Sequence, residues 1–292
     1  MKTTLVLLMT AATAMAATVA DLNAGVPGGG EYTVPGGANP TVGSIICSWN
    51  MSGTSTPYAL GICRDASYTY GVFYSPAFLR SYVAPSGSVA GSVSMAGFSV
   101  PRGGSNCHLG TGYFTISEAS GNLLRHVNKT TGATAGSFGV SGFGTTLTDN
   151  GFNGTYYFVA GGTANGSFQL YSTSGSSAGS WTFPTSFQYV GGHDYVAKAL
   201  NVAGSYYVMG TWQTGGGNNI VATYPGGSVV ASWNSAPYNY NGMMCGPSSN
   251  AAKGDTVWGN EYSSSLNAVE RDLDNIAGVA PASIGHIKAL YR

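Results

Sequence analysis

One short pattern recurs five times along the chain and limits its fold more than any other feature. A run of aromatic and β-branched residues opens on Ser, Thr or Asp: Ser67–Tyr74, Thr111–Ser117, Thr155–Ala160, Ser205–Trp212 and Asp255–Tyr262. The starts at 67, 111, 155, 205 and 255 are 44, 44, 50 and 50 residues apart. A regular period of this length marks a repeat architecture, in which each unit buries its apolar face only against its neighbours.

A second landmark keeps step with the first. After each aromatic run comes a Gly-containing turn and a strand of small residues: Ser86–Val93, Thr131–Phe138 and Ser174–Trp181, with a looser copy at Gly226–Trp233. Asp274–Val279 reads as the loosest copy, and Val42–Ile45 as an orphan near the N-terminus. Between the two landmarks lies a third strand, as in Leu123–Val127, Ser167–Tyr171 and Asn219–Tyr224. A fourth precedes the aromatic strand, as in Tyr58–Cys63 or Tyr195–Leu200. Four short strands per 44 to 50 residues is the period of a β-propeller blade. The stretch Leu266–Leu273 carries a weak helical stripe, but the repeat register predicts a strand there.

On these motifs residues 42–280 resemble secreted β-propeller repeat proteins. The WD dipeptide, the kelch double glycine and the Asp-box are not evident, so the resemblance implies a fold and no substrate. Five blades are expected. The alternative is six, with the orphan strand at Val42–Trp49, the C-terminal His286–Tyr291 and Glu31–Val34 combining into a mixed blade that closes the ring.

Composition sharpens this reading. Charged residues make up 8% of the chain, 11 of each sign, against roughly 25% in ordinary proteins. Ser, Thr, Asn, Gly and Tyr must therefore cover the surface. A hydrophobic content of 43% supplies a core and argues against disorder. Balanced charge offers no basic stripe for phosphates, so nucleic acid is not an expected partner.

The N-terminus reads as an export signal over residues 1–17: Lys2, an apolar run Leu5–Met9, and small residues ending Ala14-Met15-Ala16. No later stretch is long enough to span a membrane. Residues 18–41, with Pro27-Gly28-Gly29-Gly30 and Pro35-Gly36-Gly37, have linker chemistry, and 42–292 form the single propeller domain. Two segments are strand-like additions that could pair with a neighbouring copy: Glu31, Tyr32, Thr33 and Val34 in the arm, and Ile287, Lys288, Ala289, Leu290 and Tyr291 at the C-terminus.

Cys47, Cys63, Cys107 and Cys245 are either disulfide partners or buried thiols. Without a Cys-x-x-Cys pair there is no redox motif, zinc knuckle or haem attachment site. Asn50, Asn128, Asn153 and Asn165 head glycosylation sequons. Glu270, Asp272 and Asp274 alternate, which on a strand places three carboxylates on one face as a weak Ca²⁺ candidate; a solvated charged strand is the plainer reading. No other metal site and no cofactor is expected.

Acid–base chemistry on a propeller needs carboxylates at the central channel. Asp65, Asp149 and Asp194, beside Arg64, His108 and His193, are the only candidates, and turn-forming side-chain bonds are the competing explanation for Asp65 and Asp149. His193 and Asp194 are neighbours on a predicted strand and so point to opposite faces. The expectation is an exported or cell-surface, non-catalytic propeller that binds or self-assembles. Its partner is another copy, another extracellular protein or a glycan. The alternative is a carbohydrate-active enzyme using the three aspartates.

Overall fold

The computed structural model describes residues 42–51, 59–143, 147–161, 167–183, 190–196, 205–211, 218–235, 239–262 and 266–274, all within the compact unit Thr33–Arg292. The proposed signal, the arm with Glu31–Val34, Asn165 and the C-terminal Ile287–Tyr291 lie outside the described residues.

The chain enters through β1 (Ile45–Asn50) and then builds four complete blades in order. Blade 1 is β2 (Ala59–Arg64), β3 (Thr69–Phe73), β4 (Phe78–Val83) and β5 (Ser88–Ser94). Blade 2 is β6 (Pro101–Asn106), β7 (Tyr113–Glu118), β8 (Leu123–Asn128) and β9 (Thr134–Gly139). Blade 3 is β10 (Leu147–Phe152), β11 (Tyr156–Gly161), β12 (Ser167–Ser172) and β13 (Ser177–Thr182). Blade 4 is β14 (Val190–Val196), β15 (Tyr206–Thr211), β16 (Asn218–Thr223) and β17 (Val229–Asn234). Blade 5 takes β18 (Asn239–Pro247), β19 (Asp255–Tyr262) and β20 (Leu266–Arg271) from the end of the chain and β1 from its beginning.

Each sheet is four-stranded and antiparallel, and the first four blades are simple meanders. The inner strands β2, β6, β10, β14 and β18 touch in sequence, and β18 returns to β2, so the ring is closed. Among the described residues there are five blades, no sixth sheet and no helix.

Closure rests on β1. The outer position of blade 5, expected at Asp274–Val279, is occupied by β1, which pairs with β20 from Ile45 opposite Arg271 to Asn50 opposite Asn267. The orphan copy is thus the missing strand. Gly43 has φ +81° and lies against the Trp233 side chain, just as Gly87 (φ +70°) lies against Trp49 and Gly175 (φ +83°) against Phe138. In these three blades a glycine just before the outer strand packs against an aromatic side chain near the end of the preceding blade's outer strand. The junction is clasped by a buried ion pair. Arg271 bonds Glu261 at 2.7 and 3.0 Å and donates to the Gly43 carbonyl at 2.7 Å.

Five apolar clusters fill the five seams between neighbouring blades. The repeated aromatic strand supplies much of each: Tyr157 and Phe158 of β11, Tyr207 of β15 and Trp258 of β19 are all fully buried. Burying such a ring contributes roughly 1.5–3 kcal/mol, so the aromatic landmark is seam packing.

Candidate functional site

The inner strands carry the same irregularity in every blade. A β-bulge falls after Ala59, Pro101, Leu147, Val190 and Tyr240. Just beyond it the strands come together, at Gly61, Gly103, Gly192 and Gly242 in four blades and at Asp149 in the fifth. A Cβ at Gly242 would stand 2.7 Å from the Gly61 Cα, and one at Gly192 would stand 2.6 Å from the Met243 nitrogen. One at Gly103 would overlap the Asp149 carboxylate. Glycine is required here because backbone meets backbone at the middle of the ring.

Asp149 fills the middle of that ring. Its Oδ2 accepts the backbone N–H of His193 at 3.1 Å and of Met243 at 2.9 Å, while Oδ1 accepts that of Asn150 at 2.9 Å. Asp194, two residues past the glycine position of its own strand, repeats the device one step along. Its Oδ1 accepts from Phe152 (3.2 Å) and Tyr195 (2.8 Å), and its Oδ2 from Cys245 (2.8 Å). Each carboxylate therefore ties blades 3, 4 and 5 together through three N–H bonds, and both are buried. Burial raises both carboxyls well above the ordinary value; the N–H bonds oppose it, and for Asp149 the neighbouring Asp194 adds to it.

His193 points the other way, as alternation requires. Its Nδ1 lies 2.7 Å from the Tyr207 hydroxyl, its ring meets Phe168 edge-on at 4.7 Å, and its buried Nε2 has no hydrogen-bond partner. Burial pushes its pKa down to about 3, so it is a neutral imidazole at physiological pH. His193 and Asp194 are thus no acid–base pair.

Asp65 lies apart from the other two, in the turn after β2. Its Oδ1 accepts the N–H of Ser67 and Tyr68, each at 2.8 Å, and Oδ2 accepts from the Tyr70 hydroxyl at 3.1 Å and the Lys129 ammonium at 2.6 Å. Burial pushes this carboxyl up, but Lys129 and the two N–H groups outweigh it and leave it below its ordinary value. Asn153 makes the same turn after β10, accepting from Thr155 and Tyr156 at 2.9 and 2.8 Å. An uncharged residue serves equally well there, so turn formation explains Asp65. The same explanation fails for Asp149, which is a strand residue at the ring's centre.

Arg64 is also structural: its Nε donates to the Pro247 carbonyl at 3.0 Å and its guanidinium lies 4.6 Å over the Trp258 ring. The proposed Ca²⁺ set does not form. Glu270 accepts from Ser248, Ser249 and Thr256, while Asp272 and Asp274 hold the Lys253 ammonium at 2.6 and 2.5 Å, in the place a cation would take. β20 ends at Arg271, so the alternation that would align the three carboxylates stops before Asp272.

Cys47, Cys63, Cys107 and Cys245 are all free thiols, and the last three are buried. Among the sequons, Asn50 is exposed at the end of β1, and Asn128 and Asn153 cap turns through their side-chain oxygens.

A second group of reactive side chains sits at the seam of blades 2 and 3. Cys107 and His108 follow β6, and His126 lies on β8; one ligating atom of each falls within 4.8 Å of the others. The Tyr157 hydroxyl from β11 stands among them, 2.9 Å from His108 Nδ1 and 3.8 Å from Cys107 Sγ. Thr115 links it to His126: its hydroxyl donates to Tyr157 at 3.0 Å and lies 3.0 Å from His126 Nδ1. Nothing in the sequence spacing signals this group, because a turn and a whole hairpin separate its members. The adjacent pair Cys107-His108 just after an inner strand is the one legible hint.

No family model and no curated protein matches the chain. Its fold is similar to that of Myxococcus xanthus glutaminyl cyclase, with a TM-score of 0.58 at 10% identity, over 79% of this chain and 96% of that one. A looser likeness, to Kuenenia stuttgartiensis hydrazine synthase, has a TM-score of 0.42 at 12% identity over 76% of this chain and 68% of that one.

Proposed function

We propose that the protein is an extracellular binding or assembly module whose rigid ring presents open strand edges to other copies of itself. One observation carries this reading. The five outer strands β1, β5, β9, β13 and β17 contain no Asp, Glu, Lys, Arg or Pro. Natural proteins often blunt an exposed edge with charged residues or Pro, because unpaired N–H and C=O groups otherwise recruit further strands. Here the edges are left open, and Ile45 and Val89 on them are 51% and 59% exposed. Gly43, just before β1, meets Trp233 of the outer strand β17. Glu31–Val34 of one copy is therefore well placed in sequence to add to an outer edge of the next.

Electron microscopy of the purified exported chain tests this. Ordered filaments or arrays that disappear on deleting residues 17–41 support it. Assembly that persists after that deletion and after removal of 286–292 excludes the terminal strands, and single rings at all concentrations exclude self-assembly.

A second reading, acid–base catalysis at the centre of the ring, draws on the two buried carboxyls with raised pKa in a fold shared with a glutaminyl cyclase. Loss of turnover on N-terminal glutaminyl peptides or glycosides in Asp149→Asn or Asp194→Asn supports it; no turnover by the intact protein removes it.

A further inference from the structure

We infer that Cys107, His108 and His126 form a binding site for a divalent late transition-metal ion of the zinc type, held by one thiolate and two imidazoles with a fourth position open to solvent. The donor set fits such an ion. Thiolate and imidazole favour zinc, cobalt or copper over calcium or magnesium, which take oxygen ligands. Tetrahedral zinc sites place their donors at about 2.0–2.3 Å from the metal. Donor atoms within 4.8 Å of one another must therefore draw inward somewhat. That movement is available, because His108 is an exposed side chain in the turn from Cys107 to Gly112 and exchanges its bond to Tyr157 for the metal.

The other two donors are fixed. Cys107 is buried directly after the ring-forming strand β6, and His126 sits inside β8, 4% exposed and facing Thr115. Hydroxyls rather than charges surround the group: Thr115 orients His126, and Tyr157 reaches both His108 and Cys107. This is the kind of outer shell that holds ligand rings in one orientation. Among the described residues no salt bridge of Cys107, His108 or His126 competes for the place. On binding, the Cys107 thiol proton passes to bulk water and its sulfur forms the metal bond, so charge is balanced without any redox partner. The exposure of His108 leaves water access to the fourth position, so the site can present the ion to an incoming group.

The test is a titration of the full, chelator-treated protein with Co²⁺ alone, followed by absorption. The expected result is one equivalent of bound cobalt with a near-ultraviolet thiolate-to-cobalt charge-transfer band and intense visible bands of tetrahedral cobalt, both displaced by Zn²⁺. Cys107→Ser should abolish the charge-transfer band. His108→Ala, at an exposed turn position, should weaken affinity at least about tenfold. Absence of stoichiometric binding, binding without the thiolate band, or affinity unchanged in His108→Ala each overturns the site.

Discussion

The Asp149 carboxylate accepts the backbone N–H of Met243 at 2.9 Å, joining blade 3 to blade 5 across 94 residues of chain. It also accepts from His193 in blade 4, so one side chain holds three inner strands where the ring is narrowest. Three N–H groups that converge on one place, deep in protein, need an acceptor with several lone pairs, and a carboxylate is the smallest side chain that offers them. Asp149→Asn turns an NH₂ group toward at least one of these donors. It should destabilise the protein by about 2–3 kcal/mol, read as a lowered urea midpoint with unchanged m-value. An unchanged midpoint would mean that the carboxylate does not join the blades.

The blade-5 closure predicts a larger loss. Arg271 and Glu261 are 6% and 0% exposed, and removing one partner of such a pair leaves the other charged and buried. Arg271→Ala should cost about 3–5 kcal/mol. Because Arg271 also holds the Gly43 carbonyl, the damage should concentrate at β1. Limited proteolysis should then cut near residues 42–50 before the other outer strands are touched. Uniform cleavage across all five blades would disprove a localised clasp.

Much of this ring is legible in the sequence because two of its four strands do one job in every blade. The aromatic strand fills a seam, and the small-residue strand follows a glycine turn, so both stay recognisable. The inner strand is less legible, since its residues answer to the ring's centre rather than to a local pattern. Blade 4 shows this: Tyr195–Leu200 reads as the strand, yet β14 runs Val190–Val196. Gly191-Gly192 looks like a turn, but here it is the bulge and the close approach to Met243. The metal-ligating trio is invisible for a related reason. Its members converge only once β6, β7 and β8 have paired within blade 2.

His193 makes stability depend on pH in a definite sense. Burial holds its folded pKa near 3, below the ordinary 6.5, so in that interval the unfolded chain binds a proton that the folded one refuses. Its contribution is complete above pH 6.5 and is lost as pH falls toward 3. Asp149 and Asp194, with raised values, act oppositely: their contribution is present at low pH and lost as pH rises through their folded values. Comparison with His193→Phe, which keeps a ring against Phe168 and Tyr207, separates the two effects. Urea unfolding between pH 4 and 6.5 should show the intact protein losing up to about 1.4 kcal/mol more per pH unit than the variant. Parallel pH profiles would contradict a buried neutral imidazole.

Glycine turns allow backbone strain and collision to be weighed separately. Gly227 has φ +74° with open space around its Cβ position, whereas Gly43, at φ +81°, faces the Trp233 ring. Gly227→Ala should therefore cost about 1–2 kcal/mol, the price of left-handed backbone alone. Gly43→Ala should cost clearly more, since the tryptophan must also move. Equal melting temperatures for the two variants would show that the rim gives way without resistance.

The open edges can be closed by a single charge. Val89 lies on β5, is 59% exposed and makes no part of a seam cluster, so Val89→Lys should leave stability within about 0.5 kcal/mol. A lysine there blunts the edge in the way natural sheets do, by making an incoming strand bury or crowd an ammonium. If outer edges are the docking surface, the variant should shift from assemblies toward single rings in light scattering, and the shift should reverse in high salt only in part, since pairing geometry as well as charge is disturbed. A matched control, Ser67→Lys in the exposed turn after β2, changes the net charge equally without touching an edge. Loss of assembly in Val89→Lys but not in Ser67→Lys would place the contact on the outer strands; equal loss in both would assign it to net charge and remove the edges from the argument.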